Sequence, residues 1–172
     1  MTPTKKRAVV ILSVVFAAGI LLTDRLVKSY ILSQFSLGEV RDFIPGVLQL
    51  TYVRNPGIAF SFLAGQPWIP LVLTPILLLV VGVLLVRNIF PCPVQRLALV
   101  SVMAGGLSNW IDRLAYGHVV DMFATVFMNF AIFNVADIFI TLGGITFFVA
   151  YVVSERKKSK AKPEEQPETP DE

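Results

Sequence analysis

Asp121 and Asp137 are the acidic residues of this 172-residue chain that stand in wholly apolar company. Asp121 is flanked by Val119, Val120, Met122 and Phe123, and Asp137 by Val135, Ala136, Ile138 and Phe139; neither has a lysine or arginine within four positions. A carboxyl in apolar surroundings holds its proton more tightly, and a second carboxyl nearby adds to the effect, so such a pair tends to share one proton. That state suits aspartic hydrolysis: the ionised member takes a proton from water and the protonated member hydrogen-bonds the carbonyl under attack. Carboxylate pairs also serve proton and ion pathways, so on these residues alone a protease and a small proton- or ion-coupled carrier both stay open. A carrier needs polar groups continuing to the other membrane face, and the apolar segments described below offer almost none there.

Other polar residues gather near the same level. Asp24 and Lys28 stand at i, i+4; Asn55 opens an Asn-Pro-Gly turn; Asn109, Asp112 and Arg113 form one cluster and Asn134 precedes Asp137. The Asp24-Lys28 and Asp112-Arg113 pairs read equally well as interfacial anchors of helix ends. The single histidine, His118, reads as a polar loop residue, and Ser61 and Ser108 have no triad partners. The single cysteine, Cys92, lies between Pro91 and Pro93 with no histidine on its side of the membrane, and one cysteine excludes an internal disulfide or a multi-cysteine metal site. No phosphate-cradling loop or metal-ligand spacing is present, so no metal or other cofactor is expected.

The elements that must position these groups are membrane helices. Apolar residues make up 55% of the chain and charged residues 16%, against roughly 25% charged in soluble domains. Of the charged residues, 14 fall in the first seven and last eighteen positions, leaving 13 for the 147 between. Spans of about 20 apolar residues are expected at 8–31, 68–86, 94–112 and 135–153, within one membrane-embedded domain over 1–154. The basic run Lys5-Lys6-Arg7 and the apolar stretch after it look like a secretory leader, but the stretch continues into Thr23-Asp24-Arg25 and reads as an uncleaved first span. With both termini cytoplasmic, ten of the fifteen Lys and Arg lie inside, which satisfies the positive-inside rule and puts Asp121 and Asp137 near the outer face. The net charge of +3 thus comes from clusters beside apolar runs, and nucleic-acid binding is set aside. Residues 155–172, charged and proline-rich, are expected to form a disordered cytoplasmic tail. Val47 to Val53, the Asn55-Pro56-Gly57 turn and the alternating Ile58, Phe60 and Phe62 suggest a short β-hairpin at the outer interface, and the apolar stretch Met122 to Phe130 a short surface helix.

The wording of five blocks adds a resemblance. Asp24-Arg-Leu-Val-Lys28, Asn55-Pro-Gly-Ile-Ala-Phe-Ser61, Gly105-Gly-Leu-Ser-Asn-Trp-Ile-Asp-Arg113, Gly117-His-Val-Val-Asp121 and Phe133-Asn-Val-Ala-Asp137 resemble, in order and spacing, those of the bacterial lipoprotein signal peptidases (signal peptidase II). The resemblance spans the first to the fourth apolar segment and leaves out the tail. It implies an all-α membrane protein of four transmembrane helices, with a small extracytoplasmic β-cradle and a short surface helix. Asp121 and Asp137 would form the catalytic dyad of an aspartic endopeptidase. Asn55, Asn109, Arg113 and Asn134 would hold the substrate backbone and orient the dyad, and Asp24, Lys28 and Asp112 would tie helix ends together. The implied partners are a diacylglyceryl-modified prolipoprotein, cut before its modified cysteine, and membrane lipid. The implied setting is the bacterial cytoplasmic membrane, with the enzyme acting as a monomer. Leu107 and Ser108 depart from the Ala and Gly usual at these positions, which bears on packing between the third and fourth helices.

Overall fold

The computed structural model describes residues 3–57, 66 and 68–161. Its elements are α1 (Pro3–Gln34), β1 (Val40–Ile44), β2 (Leu48–Asn55), α2 (Trp68–Val86), α3 (Pro93–Tyr116), β3 (Val119–Thr125) and α4 (Val135–Ala161). Side-chain contacts fix the helix directions. The C-terminal ends of α1 and α3 meet the start of α4, where Lys28 reaches Asn109 and Asp24 reaches the backbone of Ala136. At the opposite end Arg96 of α3 bonds Ser13 of α1 and the Leu85 carbonyl of α2, while Gln95 bonds Ser154 of α4. The helices therefore alternate in direction, and the start of α1 and the end of α4 share one end of the bundle.

Among the described residues three helices, α1, α2 and α4, are long and apolar enough to cross a membrane by length and composition. The fourth expected span, 94–112, falls on α3, which is the hub that the other helices surround. Its buried residues include Gln95, Ser101, Ser108, Asn109 and Asp112, so its composition answers to protein neighbours rather than to lipid. Each outer helix divides into two faces. On α1, Ser13, Ile20, Asp24, Lys28 and Ile31 recur at helical spacing and are buried, whereas Val10, Ile11, Val14, Val15, Leu22 and Leu26 are exposed in a belt fit for hydrocarbon.

Close contact between α3 and α4 depends on small residues. A Cβ at Gly105 would come within 2.6 Å of the Ala136 carbonyl oxygen, and one at Gly143 within 2.8 Å of that of Ala98. Helix α2 is held differently: Pro75 has no N–H to give the Leu71 carbonyl one turn earlier, and the Trp110 indole of α3 donates to that oxygen at 2.9 Å.

The strands form one antiparallel sheet in the order β1-β2-β3, and two expectations change here. The hairpin is β1–β2, turning at Pro45-Gly46-Val47 with Gly46 at φ 71°, so Asn55 ends the second strand; the stretch 58–62 expected to complete the hairpin lies outside the described residues. The surface helix expected over Met122 to Phe130 is instead β3 and a return loop. Valines 119 and 120 and Met122 are buried, β3 takes the free edge of β2, and Phe123 exchanges backbone hydrogen bonds with Phe133 (2.8 and 3.1 Å). Ile31 of α1 and Phe35 just after it, with Tyr52, Val120 and Met122, form the apolar seam that joins sheet to bundle. The tail boundary also moves: α4 stays helical through Ala161, beyond the expected start of disorder at 155, and the remainder lies outside the described residues.

Candidate active site

Two chain reversals bring the carboxylates together. At the end of α3, Gly117 adopts φ 72° and its N–H caps the Arg113 carbonyl, which turns the chain back so that Asp121 comes four residues later on β3. The Phe123–Phe133 bridge then returns the chain to the start of α4. There Asn134 and Asp137 form a capping box: the Asp137 N–H donates to Asn134 Oδ1 at 2.9 Å and the Asn134 N–H to Asp137 Oδ2 at 3.1 Å. Asp137 is thus the third residue of a helix, facing its positive end.

Asn134 links the pair. Its Nδ2 donates to Asp121 Oδ1 at 2.7 Å and to Asn109 Oδ1 at 3.1 Å, and Asn109 Nδ2 donates to Asp137 Oδ1 at 2.8 Å. Asn55 completes the ring from β2, donating from Nδ2 to Asp121 Oδ2 at 2.8 Å while its Oδ1 accepts the Gly57 N–H at 3.0 Å. Arg113 braces that turn, its Nη2 donating to the Gly57 carbonyl at 2.8 Å. Burial raises the Asp121 carboxyl to about 6, helped by the charge of Asp137 and opposed by the bonds from Asn55 and Asn134 and by the charge of Lys28.

Behind the ring lies a buried ionic knot. Lys28 (1% exposed) reaches Asp24 Oδ2 and Asp112 Oδ2 at 2.7 Å each and donates to Asn109 Oδ1 at 2.9 Å. Asp24 also accepts the Ala136 N–H (2.8 Å) and the Ser108 hydroxyl (2.6 Å), so it caps α4 from a neighbouring helix. Ser108, one of the two departures noted above, therefore bonds α1 rather than α4.

Asn55, Asn109, Arg113, Asp121 and Asp137 all line a cavity of about 640 Å3 whose remaining wall is mostly apolar: Leu73, Leu77 and Val81 of α2 with Ile138 and Leu142 of α4. Among the described residues α2 packs on α3 and not on α4, so the cavity runs along a seam that faces the bilayer. The structure thus brings together every site residue named from the sequence, in two layers. Asn134 is fully buried behind the carboxylates with its amide saturated by protein partners, whereas Asn109 bonds Lys28, Asn134 and Asp137 and also lines the cavity. Cys92 is the N-cap of α3 at the other end of the bundle, and His118 lies beside Tyr116 and is not among the residues that line the cavity. Sequence reasoning missed Ser108 as an Asp24 donor and Arg25, which pairs with Asp112 at 3.2 Å; each contact joins residues more than eighty positions apart, with no local signal. Ser61 lies outside the described residues.

The profile of the family described as signal peptidase (SPase) II matches residues 16–153. The chain belongs to the signal peptidase II family. It is similar to the lipoprotein signal peptidase of Streptococcus pneumoniae, with 45% identity over 153 residues, 88% of this chain and 97% of that protein. The lipoprotein signal peptidase of Latilactobacillus sakei is 41% identical over 146 residues, 85% of this chain and 97% of its own. Two bacterial membrane enzymes solved by the in meso method have similar structures. One superposes with a TM-score of 0.80 at 29% identity, covering 90% of this chain and 94% of its own. The other gives 0.75 at 30% identity, covering 81% and 92%. Signal peptidase II enzymes are membrane proteases of the aspartic class, so the chain is a protease.

Proposed function

We propose that this enzyme removes the signal peptide of bacterial prolipoproteins, cutting before the diacylglyceryl-modified cysteine, with Asp121 and Asp137 as its catalytic dyad. The observation that carries the reading is the pair of carboxylates, bridged by the Asn134 side-chain amide and backbone N–H, in the wall of a mostly apolar cavity between α2 and α4. A signal helix and its acyl chains already reside in the bilayer, and the seam between α2 and α4 admits them sideways. Four helices, α3 among them, then span the bacterial cytoplasmic membrane with both termini inside and the dyad near the outer face, where water is available. Every group of the site comes from one chain, so a monomer suffices.

In the reaction one carboxylate takes a proton from water as the water oxygen bonds the scissile carbonyl carbon, and the carbonyl oxygen takes the proton of the other carboxyl. Collapse of the gem-diol breaks the C–N bond. The amine leaves with the proton held by the first carboxyl, and the second regains its own from a diol hydroxyl. Asn55 and Arg113 stand where an extended substrate backbone would pass. Against the carrier alternative, Ser101 of α3 has its hydroxyl engaged by the Phe139 carbonyl.

The test is a gel-shift assay of the purified chain in detergent with a diacylated prolipoprotein. The expected product begins at the lipidated cysteine by mass; no cleavage, or a cut elsewhere, would overturn the assignment.

A further inference from the structure

The two carboxylates sit in unlike surroundings. Asp137 is the third residue of α4, near the positive end of the helix dipole, and accepts a backbone N–H from Asn134 (3.1 Å) and the Asn109 amide (2.8 Å). Asp121 lies on β3, is 2% exposed, and among the described residues accepts two neutral side-chain amides, from Asn55 and Asn134.

Asn109 is more than a neutral donor. Its Oδ1 accepts from Lys28 Nζ at 2.9 Å, and an ammonium offers donors only, so the amide is locked with its oxygen toward Lys28 and its NH2 toward Asp137. A charged donor at one end of an amide polarises it and strengthens the bond given from the other end. One amide thus carries the Lys28 charge to Asp137. Among the described residues the charged groups that act on Asp137 are Lys28 and Asp24 from α1, Arg113 from α3 and Asp121 from β3, with Asp112 of α3 paired to Lys28. Asp24 and Asp112 are already paired with Lys28 at 2.7 Å, Asp112 is shared with Arg25, and Asp24 holds the Ala136 N–H.

We propose that Lys28 is a positioning residue that, through Asn109, keeps Asp137 as the ionised member of the dyad and leaves the shared proton on Asp121. The inference rests on the aspartic peptidase reading and divides its roles. Asp137 takes the proton of the attacking water and returns it to the departing amine. Asp121 gives its proton to the carbonyl oxygen and recovers it as the gem-diol collapses. The atom balance is that of amide hydrolysis, with one water consumed and both carboxyls restored.

The test reads the carbonyl-stretch band of a protonated carboxyl by infrared difference spectroscopy on the full chain in detergent. The spectra compare wild type with Asp121→Asn and Asp137→Asn at about pH 5, in the acid range where a shared proton is retained. The band should vanish in Asp121→Asn and persist in Asp137→Asn. A band kept in Asp121→Asn, or lost in Asp137→Asn, overturns the assignment. Prolipoprotein cleavage by either variant would instead sink the aspartic reading itself, so the two failures are distinguishable.

A second arm follows turnover against pH. Cutting the relay by Asn109→Ala, or removing its charge by Lys28→Met, should move the acid limb to higher pH by about one unit, a tenfold change in proton affinity, while Lys28→Arg should hold it near wild type. An unmoved limb in Asn109→Ala, which leaves the ion pairs of Lys28 in place, contradicts the relay. Should the Lys28 variants not fold, Asn109→Ala and the infrared bands decide.

Discussion

Asp121 titrates in the folded protein at about 6 against an ordinary 3.8, and the sign of that difference has consequences. The folded state holds the proton better than the unfolded chain, so the stabilisation is complete below the unfolded value and is lost as pH rises through about 6. At neutral pH wild type should therefore be disfavoured relative to Asp121→Asn by up to ~3 kcal/mol compared with their difference at pH 4. Melting temperatures of the two proteins across that range check it, and a constant difference would contradict it. Asn55 contributes a bond that opposes the rise. Asn55→Ala should push the alkaline limb of the turnover profile, where Asp121 loses its proton, to higher pH. The same change frees the Gly57 turn and should lower turnover on the order of a hundredfold, since small misplacements cost that much. Cys92→Ala, at the far end of α3, should match wild type in both. That Asp121 and Asp137 meet in one site was legible in the sequence, because carboxylates set between valines and phenylalanines are costly to bury alone. The double duty of Asn109 and Asn134 was not, because whether an amide faces substrate or holds a carboxylate depends on which of its valences are already filled.

At the scale of elements, the tight crossing of α3 and α4 sets the distance between Asn109 and Asp137. Gly105→Ala would place a methyl 2.6 Å from the Ala136 oxygen and 2.8 Å from Ile140 Cγ1, forcing the helices apart at the level of the site. Overpacking of this kind costs about 1–3 kcal/mol, so the variant should melt earlier and lose most of its activity. Gly144→Ala, with nothing within 4 Å of its Cβ, should be neutral in both assays. The three outer spans could be read directly from their uninterrupted apolar runs, α2 to the residue. The sheet could not. All five residues of β1 are exposed and two are charged, so no alternation marks it. β3 has four successive buried residues, a pattern that suits a helix or a strand equally until the free edge of β2 is known. At the end of α4 the helix continues through Ala161, with Glu155 and Lys158 paired at 2.8 Å along one face, where composition alone suggests a disordered tail from 155.

For the whole molecule, alternating helix directions place the start of α1 and the end of α4 at the end of the bundle opposite the dyad. Arg7, Arg87, Arg96, Arg156, Lys157 and Lys158 fall toward that end. Reporter fusions after Asn88 and after Lys160 should both report cytoplasm, and one after Glu39 the outer side; an outer signal at Asn88 would place the dyad on the wrong face. The most direct measurement is cleavage of a diacylated prolipoprotein by wild type, Asp121→Asn and Asp137→Asn, each verified as folded in detergent. Wild type should yield a product that begins at the lipidated cysteine, and both amide variants should be inert, since they keep the shape of the site and lose its proton chemistry. Substantial turnover by either variant would contradict the dyad.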